Sequence, residues 1–157
     1  MSPDLMTGAL TVSAVAAALS GGMTLAFSNF IMGAFDRLPA SQAVEAMQHI
    51  NETVLNPLFL AIFIGTGFAT TALAILCAFT LGVDGRWGLV VGAALYMVGV
   101  VGVTAAGNVP LNNRLAEVEL VAATPEVWSA YARPWVFWNH VRTVAAAIAS
   151  AAFVLAA

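Results

Sequence analysis

The sequence predicts an all-α membrane protein, a four-transmembrane-helix bundle with an amphipathic interfacial helix between spans 1 and 2. Three observations lead there. Only 8% of the 157 residues are charged and 61% are hydrophobic, whereas soluble domains are about a quarter charged. Four apolar stretches, at 9–35, 57–83, 87–106 and 136–157, are each long enough to cross a bilayer, which takes roughly 20 apolar residues. The uncommon polar residues gather between the first and second stretches and between the third and fourth, connections that share one side of a four-span chain. Residues 1–157 are therefore read as a single membrane domain.

The first span starts without a basic region, and Asp4 stands where a signal sequence would carry one, so this segment is expected to stay in the membrane. Gly21-Gly22 allow close helix approach or a slight kink. After Asp36-Arg37-Leu38-Pro39, Ser41 is a plausible N-cap for a helix in which Met47, Ile50, Val54 and Leu58 recur at helical spacing. Glu45, His49, Glu52 and Asn56 follow one another at steps of four, three and four on another face, the pattern of a helix lying at the membrane interface. Asn56-Pro57 reads as the N-cap and first residue of the second span. Cys77 lies within that span as a small core residue.

Asp84-Gly85-Arg86 predicts a tight turn into the third span. There Gly88 and Gly92 have the spacing that lets helices touch through their backbones, a face suited to oligomerisation. The third span is expected to break or bend at Pro110, within Gly107-Asn108-Val109-Pro110-Leu111-Asn112-Asn113-Arg114. A partly helical connection over 117–132 comes next, and Pro134 fits the first position of the last helix. Arg37, Arg114 and Arg133 flank the longer connections and only Arg86 the short turn, so the positive-inside rule places the polar face in the cytoplasm of a multi-pass cell-membrane protein.

The formal net charge of -3 is small and scattered, which argues against nucleic acid as a partner. The bilayer and a small lipophilic molecule are the expected partners. The last helix carries the sharpest site signal. Only the stretch Thr143 to Ala157 lies beyond Arg142, too short to span the hydrocarbon alone, so Trp138 to Arg142 must lie in or very near the membrane. Arg142 would sit roughly 12 Å along the axis from Pro134. An arginine at that depth either snorkels to headgroups, with Trp135 and Trp138 as an aromatic belt, or faces inward beside Asn139 and His140 to hold an anionic group. Asn29, Asn56, Asn108 and Asn112 read singly as caps, and together as a hydrogen-bonding pocket. No cofactor is expected. A metal site built from Glu45, His49, Glu52 and His140 is the alternative. Its Glu-x-x-x-His spacing departs from the Glu-x-x-His pairs of helical carboxylate sites, and a solvated helix face is the better reading.

Four blocks carry a resemblance: Ser28-Asn29-Phe30-Ile31-Met32; Met47-Gln48 and Ile50-Asn51 with Asn56-Pro57; Gly107-Asn108-Val109-Pro110-Leu111-Asn112; and Trp138-Asn139-His140-Val141-Arg142-Thr143. In this order they resemble the anthrone oxygenase-like family of small integral membrane proteins, over almost the whole chain. Some fungal members are linked to oxygenation of anthrones to anthraquinones. The resemblance thus implies a cofactor-independent oxygenase acting on a lipophilic aromatic with an acidic C–H, by proton abstraction and direct reaction with O2. On that reading His140 is the base, Arg142 with Asn108 or Asn112 binds the oxyanion, and Trp135 and Trp138 wall the substrate. Two other classes stay open: a non-catalytic binding, transport or accessory protein for a small lipophilic molecule, and a metal-dependent membrane oxidoreductase.

Overall fold

Three of the four long helices open on a polar cap followed by proline, which fixes where each begins. The computed structural model describes residues 2–80 and 87–157, and among them all regular structure is helical. Four helices are long and apolar enough to cross a membrane: α1 Pro3–Phe35, α3 Pro57–Phe79, α4 Trp87–Ala116 and α5 Pro125–Ala156. The interfacial helix α2, Ala40–Thr53, joins the first pair, and a short 3-10 turn, Leu120–Ala122, joins α4 to α5. Ser2, Asn56 and Thr124 cap α1, α3 and α5 by accepting from the backbone N–H three residues on, and the adjoining proline has no N–H to leave unpaired.

The helices overrun the membrane on one side. α1, α4 and α5 contain 33, 30 and 32 residues, or about 45–50 Å at 1.5 Å each, against roughly 30 Å of hydrocarbon. The C-terminal ends of α1 and α4 and the N-terminal end of α5 project with α2 to form a cap. Two apolar cores result. The bundle core includes Leu10, Phe63, Tyr96, Ala146 and Phe153; the cap core includes Met32, Val44, Met47, Leu115, Trp128 and Trp135. Two polar ties hold the cap. The Gln48 side-chain amide donates to the carbonyls of Leu115 (2.8 Å) and Val118 (3.0 Å), and Trp128 Nε1 donates to Asp36 at 2.7 Å.

Several expectations are corrected. α2 begins at Ala40, so Ser41 lies inside its first turn rather than capping it. Pro110 does not break the third span: wide π turns at Met97–Gly102 and Thr104–Asn108 precede it, and their extra residue per turn accommodates the proline ring. Pro134 is interior to α5, whose true start is Pro125. The packing of Tyr131, Ala132 and Trp135 into the cap core offsets the roughly 3 kcal/mol cost of an internal proline. The expected turn at Asp84-Gly85-Arg86 and the end of the second span at residue 83 lie outside the described residues.

The glycines expected to serve oligomerisation are used within the chain. A Cβ at Gly92 would fall 2.6 Å from the Phe153 ring, and one at Gly88 2.7 Å from the Ala152 carbonyl oxygen. α4 thus seats α5 through these positions, because only a bare backbone lets the two axes come so close.

Candidate functional site

Between the two cores lies a cavity of about 410 Å³, within the roughly 300–1,000 Å³ typical of small-molecule pockets. Its walls are aromatic. Phe59 and Phe63 of α3 stack at 4.9 Å, and Phe27 of α1 meets Trp135 of α5 at 5.6 Å. Three lining residues, Phe27, Phe63 and Thr104, lie in π turns of three different helices. A π turn inserts a residue into the helical repeat and rotates the side chains beyond it, a distortion that recurs at functional sites.

Arg142 closes the buried end of this cavity, with 7% of its surface exposed. Its two terminal nitrogens donate to Asn139 Oδ1 and, at 3.2 Å, to Thr104 Oγ1. The guanidinium carbon stands 5.3 Å from the Trp135 ring centroid and 6.0 Å from that of Phe63. These contacts hold the terminal nitrogens of the cation with neutral oxygens and its face against π systems. Among the described residues Arg142 makes no ion pair with a carboxylate, and its Nε has no hydrogen-bond partner although buried.

The supporting polar groups are each held from behind. Asn139 is fully buried and donates to the Thr24 carbonyl and the Ser28 hydroxyl, which turns its oxygen toward Arg142. Asn112 Oδ1 accepts from Tyr131 at 3.0 Å and from Trp135 Nε1 at 2.9 Å, fixing the indole that forms one wall. From α2, Gln48, His49, Asn51 and Glu52 line the same cavity. Asn51 Nδ2 is also buried, beside the Tyr131 hydroxyl. At the exposed end His49 Nδ1 lies 3.8 Å from Glu52 Oε2.

Four expected site residues therefore come together around one cavity: Asn112, Trp135, Asn139 and Arg142. Asn108 is buried behind it, donating to the Trp135 carbonyl at 3.2 Å while its own oxygen lacks a partner. His49 and Glu52, expected only as alternative metal ligands, line it as well, and the remaining expected residues do not. His140 is exposed on the outer face of α5 and Trp138 covers Gly107, whose added Cβ would meet the indole at 2.8 Å. For His140 the reason is helical phase, since it lies about 140° around α5 from Trp135; Trp138, three residues after Trp135 and four before Arg142, lies at the edge of their face and is taken up by its packing on Gly107. Asn29 is exposed on α1, and Asn56 is occupied as the N-cap of α3. The alternative metal set is not assembled either. Glu45 is exposed away from the cavity, His140 is on the outer face of α5, and no three such side chains gather among the described residues. Gln48, Asn51, Phe27, Phe59, Phe63 and Thr104 were not singled out as site residues by the sequence, although Gln48 and Asn51 belong to one of its recognisable blocks.

The architecture defines a class: a multi-span helical membrane protein with an aromatic, donor-rich internal cavity. A family model described as anthrone oxygenase matches residues 59–152, well over half of the chain. The protein belongs to that family. The matched stretch contains the cavity residues of α3, α4 and α5 and excludes those of α1 and α2. No curated protein and no solved structure matches the chain.

Proposed function

We propose that this protein is a membrane oxygenase whose substrate is a flat, lipophilic, anthrone-like aromatic bearing an acidic C–H conjugated to a carbonyl. The observation that carries this reading is the buried, unpartnered Nε of Arg142, part of an unneutralised cation on one aromatic-walled cavity. A buried donor left unpaired costs about 1–3 kcal/mol, and more when charged. A ligand oxygen that carries or develops negative charge relieves it.

The reaction is built on that preference. Loss of a proton from the substrate methylene gives an enolate whose oxygen lies against Arg142 and Asn51. Its carbon passes an electron to O2, and recombination forms a C–O bond as a peroxide. The second methylene hydrogen leaves as a proton, the O–O bond breaks, and the departing oxygen takes up both protons as water. One CH2 and one O2 become one C=O and one H2O, a balance that needs no external reductant and no cofactor. Trp135, Phe59 and Phe63 supply flat apolar surfaces for the rings. In this reading the cap faces the cytoplasm, because exposed Arg37, Arg114 and Arg133 surround it.

The test is oxygen uptake by the protein purified into nanodiscs and given an anthrone, with ¹⁸O2 to label the new quinone carbonyl. Stoichiometric uptake above the protein-free rate, with label in the product, supports the oxygenase. Tight binding of an enolate analogue without accelerated uptake refutes it and leaves a binding protein for anionic lipophiles.

A further inference from the structure

We infer that His49, positioned by Glu52, is the general base that removes the substrate's carbon-bound proton. This rests on the oxygenase reading for its substrate, and it concerns a part of the chain outside the family match, which begins at residue 59. With His140 on the outer face of α5, His49 is the histidine that lines the cavity. It stands at the opposite end from Arg142: its side chain is 72% exposed, whereas Arg142 is buried. A molecule filling the cavity therefore meets a buried cation on one side and a water-facing imidazole on another. Enolate formation requires this polarity, with the proton leaving on one side and charge accumulating on the other.

Further contacts hold the arrangement. Gln48 ties the adjacent turn of α2 to the carbonyls of Leu115 and Val118, so the helix presents His49 and Asn51 to the cavity from a fixed register. Glu52 Oε2 lies 3.8 Å from His49 Nδ1, beyond direct hydrogen-bond distance, and faces that edge of the ring. Nε2 then remains as the acceptor. The C–H proton moves to Nε2, its electron pair stays on the substrate as the enolate, and the imidazolium holds the proton until it passes to water or to the departing oxygen. Glu52 touches no substrate and is a positioning residue.

Proton abstraction can be read apart from oxygenation. An anthrone dideuterated at its methylene is incubated anaerobically with the nanodisc-embedded protein, and loss of deuterium to water is monitored, with binding of the corresponding anthraquinone as a measure of cavity integrity. Wild-type protein is expected to accelerate exchange. His49→Ala should lower that acceleration by about 10²–10⁴-fold, bind the quinone within about threefold, and recover exchange when imidazole is added. Glu52→Gln should lose about two- to fivefold in exchange rate with unchanged binding, and nothing further when combined with His49→Ala. Exchange within about threefold of wild type in His49→Ala overturns the assignment, as does a loss of quinone binding that matches the loss of exchange. Wild-type exchange without O2 uptake in air would sink the oxygenase reading and leave His49 in place as a base. Wild-type oxygen uptake with undiminished exchange in His49→Ala would sink only the base.

Discussion

Replacing Arg142 with methionine separates its role as a ligand group from a role as structural glue. Methionine keeps the length and apolar stem and removes the guanidinium. Two charge-assisted hydrogen bonds are lost, to Asn139 and Thr104, together about 3–6 kcal/mol at roughly 1.5–3 kcal/mol each. Against this stands relief of the desolvation penalty of a buried cation, itself several kcal/mol, in a site where no carboxylate offsets it among the described residues. The two effects cancel to within about 2 kcal/mol, so the folded state should survive with a thermal midpoint within about 8 °C of wild type. Catalysis has no such compensation. Loss of one oxyanion donor costs about 2.7–4 kcal/mol in the transition state, a fall of about 10²–10³-fold in kcat. Tryptophan fluorescence on heating reports the first quantity and quinone absorbance the second. Turnover within tenfold of wild type would refute the oxyanion role. A variant that cannot fold would refute the energy balance and make Arg142 a clamp.

Three other substitutions probe the surrounding geometry. Asn112→Asp keeps an acceptor for Tyr131 and Trp135 but adds a carboxylate to the cavity wall, so affinity for an anionic ligand should drop about tenfold or more while that for a neutral isostere holds; equal weakening of both, by calorimetry, would count against a charge-selective site. Gly99→Ala places a Cβ 2.5 Å from that of Ala145, forcing α4 and α5 apart at about 1–3 kcal/mol; an unchanged melting temperature would show the contact to be slack. His140→Ala should leave turnover within about twofold, since that side chain is exposed on the outer face of α5; a tenfold loss would return it to the site.

The bundle was legible because bilayer thickness imposes its length on the sequence, and the one-sided clustering of polar residues located the site's end of the molecule. Which of those residues turn inward was partly legible too. The repeat 135, 139, 142 is plain in α5, and applying it strictly sets His140 aside, whereas Trp138 fits the same face by spacing and is removed from the cavity only by its packing on Gly107. Other features had no local signal. A π turn is chosen by packing around it, so the helical phase of Asn29 could not be counted forward through Phe27–Ile31. Gln48 and Asn51 look like the wet face of an interfacial helix. They become interior only because α2 docks on the end of α4, a long-range event recorded in the bonds from Gln48 to Leu115 and Val118.

The seam between the cores explains why a lone cation can be kept there. Deeper in the bundle, where Leu10, Ala17, Ala149 and Phe153 pack with almost no exposure, a guanidinium would meet few oxygens and its burial would go uncompensated. In the cap, among exposed Arg37, Glu45 and Arg114, water and neighbouring charge would screen it. At the seam Arg142 finds the oxygens of Asn139 and Thr104 and the faces of Trp135 and Phe63, enough to hold it without cancelling its charge. A carboxylate partner would stabilise the resting fold further, but it would occupy the position and neutralise the field that an incoming oxyanion needs. An arginine held only by neutral groups stays available, and on the proposed reading the missing counter-charge is what the ligand brings.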